Sequence, residues 1–321
     1  MISSLELARQ CGISQGTVDR ALHNRPGVSP KTREKILRAA ERLGYRPHPA
    51  ARELLTGRSQ TVGIILPAVN NIFFMDLFAE LARSLSRQQV RLQFSLVENR
   101  GDFLETLEDF AARRHRLALV IPPEDNIPVP RTLAAAVPIV SLISPCRGPG
   151  LQFLSPDETE TGREAVRYLH RQGHQRILHL TYDRPAYAIS ARTAGYKEQC
   201  REMALPVKIL KGGEAEDLGP ALRSFRPTAL FCHNDWMALR AQSVLSEMGL
   251  RVPDDLSVIG VDNSPTLMSV RPGLTTLAYP LGKMVEAVEA ILGGQPAALA
   301  NATYQLIERT SVRKLSTNAV R

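Results

Sequence analysis

Gln15, Thr17 and Arg20 stand in one short run near the start of the chain, Ser14-Gln15-Gly16-Thr17-Val18-Asp19-Arg20-Ala21-Leu22. On a helix, Val18, Ala21 and Leu22 share one face, leaving Gln15, Gly16, Asp19 and Arg20 on another. A guanidinium on an exposed face offers paired hydrogen-bonding groups that match a base edge, so Arg20 could make a bidentate contact to guanine. The polar face begins at the helix N-terminus, where a helix lying in a major groove meets the bases. Ser14 and Thr17 beside it, Asn24 after it and Arg52 further on add groups suited to bases or phosphates.

Such a helix needs others to hold it, and the flanking residues supply their start and stop signals. Ser3 and Glu6 have the spacing of a capping box, opening a helix that carries Leu7, Ala8 and Cys11. Gly12 permits the sharp exit of a helix-turn-helix, and Ser14 can cap the second helix. A third helix is expected from Ser29 and Pro30, with Ile36, Ala40 and Leu43 on one face and Gly44 as its stop.

Charge follows the same division. Of the net charge of +8, six units lie in the first 58 residues, where lysine and arginine would meet phosphate. The 321 residues, 44% hydrophobic, suffice for more than one domain. Neither a signal peptide nor a membrane-length apolar run is visible, so a cytoplasmic location is expected. The four cysteines form no Cys-x-x-Cys pair and no disulfide frame. His170 and His174 have metal-ligand spacing, but Gly173 between them reads as a helix stop. No metal site, cofactor or catalytic acid–base pair is expected, and the glycine-rich nucleotide and nucleophile-elbow motifs are absent.

Beyond Ser59, apolar runs alternate with helical patterns. Residues 62–66, 92–97, 117–121, 139–143, 177–180, 230–232 and 258–261 read as buried parallel strands. Residues 75–86, 102–112, 161–171, 235–248 and 283–292 read as the helices between them. This alternation predicts doubly wound α/β sheets.

The whole pattern resembles the lactose-repressor (LacI/GalR) family of bacterial transcription regulators. The resemblance is carried by Ala8-Arg9, Gly12-Ile13-Ser14, Thr17-Val18, Arg20, Pro26-Gly27-Val28-Ser29, Thr32-Arg33, Leu43-Gly44-Tyr45-Arg46-Pro47 and the run from Ala51 to Ser59. It implies that Gln15, Gly16 and Arg20 read bases and that Leu54, on a hinge helix, wedges into the minor groove, bending the duplex. Three residues depart from the pattern: Asp19 replaces a serine near phosphate, Gly16 offers a base no side chain, and Pro49 lies inside the hinge. An acid at Asp19 requires a nearby arginine or a cytosine amino group.

The resemblance also implies an α/β fold of three parts: a three-helix helix-turn-helix DNA-binding domain (1–46), a hinge helix and linker (47–60), and a periplasmic-binding-protein-like domain (61–313). A tail would follow at 314–321. The large domain would comprise two doubly wound α/β subdomains, 61–156 plus 279–303 and 157–278 plus 304–313, with an effector between them. Asn71-Ile72-Phe73-Phe74, the segment around Arg192, Asn234-Asp235 and the strand end at Asp262 would mark the cleft. Arg192, Asn234 and Asp262 offer donors and acceptors for hydroxyls, Phe73 and Phe74 an apolar wall, as in a sugar or nucleoside site. Asp157 and Trp236 are further candidates. Taken singly, each has a plainer use: Asn234 as a helix cap, Arg192 in an ion pair, the phenylalanines in a core.

The expected activity is ligand-controlled binding of a pseudo-palindromic double-stranded operator by a homodimeric repressor, with a small sugar-like effector and no membrane partner. No leucine heptad follows Ser311, which favours a dimer over a coiled-coil tetramer. Rival readings are a transport-type sugar-binding protein, a ligand-dependent activator, and an enzyme built on the same sheets.

Overall fold

The computed structural model describes residues 2–22, 24–45, 59–68, 72–88, 90–212, 218–267, 269, 271–299 and 302–315. It divides into two compact units, 1–59 and 60–321.

In the first unit, α1 (Ser4–Cys11) starts at Ser3, whose hydroxyl accepts from the Glu6 N–H at 3.1 Å. It ends at Gly12, whose left-handed φ of 67° lets its N–H reach the Ala8 and Arg9 carbonyls. After this turn, α2 (Gln15–Leu22) starts with the Ser14 hydroxyl accepting from the Thr17 N–H at 3.3 Å. Ser29 caps α3 (Pro30–Arg42), with Pro30 in its first turn. Leu7, Ala8, Cys11, Val18, Ala21, Ile36 and Ala40 are buried together. Leu22 and Leu43 pack against that cluster as partly buried residues.

The second unit begins with β1 (Thr61–Pro67), α4 (Ile72–Arg87), β2 (Arg91–Val97), α5 (Arg100–Ala112) and β3 (Leu117–Val120). It continues with β4 (Ile127–Pro128), α6 (Arg131–Ala136), β5 (Ile139–Leu142), β6 (Cys146–Arg147) and β7 (Gln152–Leu154). The first sheet has the order β2-β1-β3-β5-β7, all parallel, while β4 and β6 form a separate pair. Its central strands are apolar runs because helices cover both faces.

The chain then forms α7 (Glu158–Arg171), β8 (Ile177–Thr181), α8 (Tyr187–Glu202), β9 (Lys208–Lys211), α9 (Leu218–Phe225), β10 (Ala229–Cys232), α10 (Asp235–Glu247), β11 (Ser257–Asp262) and β12 (Thr275–Ala278). After α11 (Leu281–Leu292), β13 (Gln305–Ile307) completes a second sheet of order β13-β12-β11-β10-β8-β9. β13 is antiparallel to β12. Although α11 lies between two strands of this sheet in sequence, it packs on the first: Gln88 Nε2 donates to Glu289 at 3.2 Å and Arg116 to the Leu292 carbonyl at 2.7 Å. One apolar cluster contains residues of both sheets, from Val62 and Ile64 to Ile259 and Val261.

The structure adds elements that the apolar runs did not reveal. β9 and β13 are edge strands with half-exposed residues, and β12 is half threonine, so none forms a continuous apolar run. The first turn of α7 is acidic at Glu158 and Glu160, which places its start before the expected Thr161. Among the described residues, no helix is long and apolar enough to cross a membrane.

Candidate functional site

The first candidate surface is the outer face of α2. Ser14, Gln15, Gly16 and Arg20 are exposed, Thr17 half-buried, while Val18 and Ala21 hold the helix from beneath. Gln15 Nε2 donates to Ser4 Oγ at 2.8 Å and Arg20 Nε to the Gly16 carbonyl at 3.2 Å. Asp19 is no bare acid, because Arg25 Nη1 lies 3.1 Å from its carboxylate. Exposed Asn24, with a left-handed φ of 52°, accepts from Arg33. Arg52, Leu54, Pro49 and the expected hinge helix lie outside the described residues, as does Asn71.

The second is a cavity of about 300 Å³ in the 60–321 unit, at the C-terminal ends of β1, β3, β5, β8, β10 and β11. Phe73 and Phe74 from the start of α4, with Tyr279, wall it on one side. Phe73 packs on Tyr279 at a ring separation of 4.8 Å. Arg192, His233, Asn234 and Asp262 face it from the second sheet.

Arg192 is placed by close helix packing. At Gly195 and Gly162 the backbones of α7 and α8 approach so closely that a methyl group at either glycine would overlap the opposing carbonyl of Thr159 or Arg192. The approach seats Arg192 against Glu158, Nε to Oε2 at 2.6 Å, with both side chains buried. Arg192 also donates to the His233 carbonyl at 2.6 Å and to Tyr304 Oη at 2.9 Å, and Tyr304 donates to the other Glu158 oxygen at 2.8 Å. Burial alone would lower the Arg192 pKa, but the Glu158 carboxylate outweighs it and holds the guanidinium above its ordinary value. The pair is electrically closed, and each of its side-chain nitrogens and oxygens has a hydrogen-bond partner.

Around it lie polar groups that are not matched. Asn234 caps α10 by accepting from the Met237 N–H at 2.9 Å, and Tyr182 donates to the same oxygen at 3.3 Å. Its Nδ2 has no partner among the described residues. His233 Nδ1 and Tyr279 Oη are buried without hydrogen bonds. The Asp262 carboxyl accepts none from the described residues, and its backbone holds a φ of 112°, uncommon outside glycine. Burial pushes Asp262 well above the usual carboxylate range, against the pull of Arg192. Burial likewise drives His233 well below its ordinary value. Neighbouring Asp235, raised to about 6 by burial, is held by Thr276 Oγ1 at 2.6 Å and the Ser264 N–H at 3.0 Å. Ser264 in turn donates to Asp76 of α4, a bond between the two halves of this unit beside the cavity.

The structure thus brings Phe73, Phe74, Arg192, Asn234 and Asp262 to one cavity, and places Asp157 and Trp236 elsewhere. Asp157 is exposed because its carboxylate caps α7, accepting from the Glu160 N–H at 2.8 Å. Trp236 is half-buried in the first turn of α10 and is not among the residues lining the cavity. The adjacent Glu158, with His233, Tyr182, Tyr279 and Tyr304, escaped sequence reasoning. His174 is engaged structurally, its ring nitrogens 3.1 Å from Thr228 Oγ1 and from the Arg313 carbonyl.

Comparison with known proteins bears on both surfaces. Residues 5–48 match the model of bacterial regulatory proteins of the lacI family, and residues 166–312 that of a periplasmic binding protein-like domain. Catabolite control protein A of Priestia megaterium is 30% identical over 305 aligned residues, 87% of this chain and 88% of that protein. The HTH-type transcriptional repressor CytR of Escherichia coli is 29% identical over 289 residues, 86% and 84% of the two chains. In fold, the chain is similar to the lac repressor dimer bound to operator and the anti-inducer ONPF, with a TM-score of 0.79 at 22% identity, covering 97% of this chain and 99% of that one. The chain belongs to the LacI family of bacterial regulatory proteins and is a DNA-binding transcriptional regulator.

Proposed function

We propose that this regulator is a homodimeric repressor whose operator affinity is set by a small polar, sugar-like ligand held in the cavity of the 60–321 unit. One observation carries the ligand reading: Asp262, Asn234, His233 and Tyr279 line one cavity, and the Asp262 carboxyl, Asn234 Nδ2, His233 Nδ1 and Tyr279 Oη have no protein partner among the described residues. Buried polar groups are rarely left unmatched, and hydroxyls of a ligand would match these. Phe73 and Phe74 would take its apolar face.

In this reading Ser14, Gln15, Thr17, Arg20 and Asn24 contact bases and phosphates, Gly16 lets the backbone approach, and Arg52 and Leu54 act from the hinge. Exposed Met75, Phe94 and Leu96, the last two on the edge strand β2, supply an apolar surface for the second protomer. The subdomains in this reading are 61–156 plus 279–303 and 157–278 plus 304–313, and the strand order of the two sheets supports that division. Ligand binding would bias the pose of these subdomains and so the placement of the paired DNA-reading units. It can do so only by binding one pose more tightly. The cavity binds its ligand and releases it unchanged; turnover of a bound sugar by pure protein would count against this.

The test is operator affinity, with the operator selected from random DNA by the full chain and pentoses, hexoses, disaccharides and nucleosides added in turn. One class should change affinity by about 5- to 150-fold, the usual range of allosteric coupling. Indifference to the whole panel would remove the sugar reading.

A further inference from the structure

A second cavity, of about 550 Å³, lies beside the first. It is formed by the end of β8, the loop that follows, the outward face of α8 and the end of β9. Its lining is rich in cations: Arg184, Lys197, Arg201 and Lys211 against Asp183 and Glu198. Asp183 pairs within the lining with Lys211, at 3.5 Å, and Glu198 pairs outside it with Arg163 at 2.6 Å. Lys197, whose stem is partly covered, and, one turn on, exposed Arg201 have no ion pair among the described residues. Arg201 has a plainer use as well, complementing the helix C-terminus.

A second, independent feature points the same way. Thr181, at the end of β8, is 1% exposed and lines this cavity, and its Oγ1 has no hydrogen-bond partner. A buried hydroxyl of this kind is an orphan donor that an acceptor oxygen would satisfy. Arg184 and Tyr182 line both cavities, so an occupant of one touches the loop that borders the other.

We propose that this second cavity is a separate site for a small phosphate-bearing anion, held by Lys197 and Arg201 with the Thr181 hydroxyl donating to a phosphate oxygen. It is a different site from the hydroxyl-matching cavity and calls for a different ligand class.

Calorimetric titration of the full chain with inorganic phosphate and with glycerol 3-phosphate, at constant ionic strength, tests it. At least one should bind saturably, and the double variant Lys197→Gln, Arg201→Gln should weaken binding by about tenfold or more, as loss of charge-assisted hydrogen bonds implies. Arg20→Gln, which alters the basic DNA-reading face, and Asp262→Gly, which alters the first cavity, should leave the affinity unchanged. Thr181→Val should weaken binding while raising the stability of the free chain, because it removes an unsatisfied buried group. Absence of saturable binding overturns the proposal, as does binding that the double variant retains. So does a Thr181→Val chain that gains stability with unaltered affinity.

Discussion

The face of α2 and the cavity of the second unit do their work by opposite arrangements. On α2 the polar residues are exposed or half-buried, lie within one short segment, and leave the packing to Val18 and Ala21. In the cavity the polar residues come from several distant segments, and the buried ones among them hold the fold as well: Arg192 closes an ion pair and Asn234 caps a helix, while Phe73 beside them belongs to the core. The plain use and the functional use coincide there. It follows that recognition can change on α2 without touching stability, whereas most changes around the cavity alter both.

The sharpest contrast should come from Arg192→Ala, which leaves Glu158 buried without its cation. A loss of about 3–5 kcal/mol in urea unfolding of the 60–321 unit is expected. Pairing Arg192→Met with Glu158→Gln should recover most of it; if it does not, the ion pair is not what Arg192 contributes. Gly195→Ala comes next, forcing α7 and α8 apart at a cost of about 1–3 kcal/mol, measured in the same way. Arg20→Ala should fall at the other extreme for stability, within about 0.5 kcal/mol of wild type, while operator discrimination drops by about 1–3 kcal/mol in competition binding. A large stability loss at Arg20 would break the contrast between the two regions.

The smallest effect concerns pH. Burial pushes His174 and His179 down to about 4 from 6.5. The unfolded chain therefore takes up protons that the folded chain refuses, so their contribution is present above about pH 6.5 and lost on acidification toward about 4. Asp235, raised to about 6, works in reverse, favouring the fold below about pH 4 and losing that contribution as pH rises through 6. The two trends oppose, and the net slope should be shallow in the wild type and steeper in Asp235→Asn, by thermal unfolding across that range. Ring signals of His179 that titrate near 6.5 would contradict its burial.

The same contrast explains what could be read in advance. The helices of the first unit carry their caps, turn glycine and reading residues within a short stretch, so local spacing was enough. Central strands were legible because burial on both faces makes them apolar runs, whereas β9, β12 and β13 lack that mark. In the cavity, Phe73, Phe74, Arg192, Asn234 and Asp262 were found through resemblance to a family, not through spacing. Glu158 was missed for a physical reason: the apolar pattern of the helix begins only after its acidic first turn, so the helix was expected from Thr161 and Glu158 fell outside it. The candidate chosen instead, Asp157, is the cap one residue earlier, and that step separates solvent from the buried ion pair. Tyr304 meets Arg192 across more than a hundred residues, which no local pattern records.

Asp262 offers the most direct test, because its backbone φ of 112° suits glycine and its carboxyl has no partner among the described residues. Thermal unfolding of the full chain and of Asp262→Gly should be compared with and without pentoses, hexoses, disaccharides and nucleosides. Without ligand, the variant should be at least as stable as wild type, since strain and an unmatched buried acid are both removed. With ligand at about 100 times its dissociation constant, one class should stabilise wild type by about 2.7 kcal/mol and the variant far less. A variant that unfolds readily on its own, or that keeps the full ligand shift, would show that Asp262 serves the fold and that the unmatched groups of this cavity do not mark the effector site.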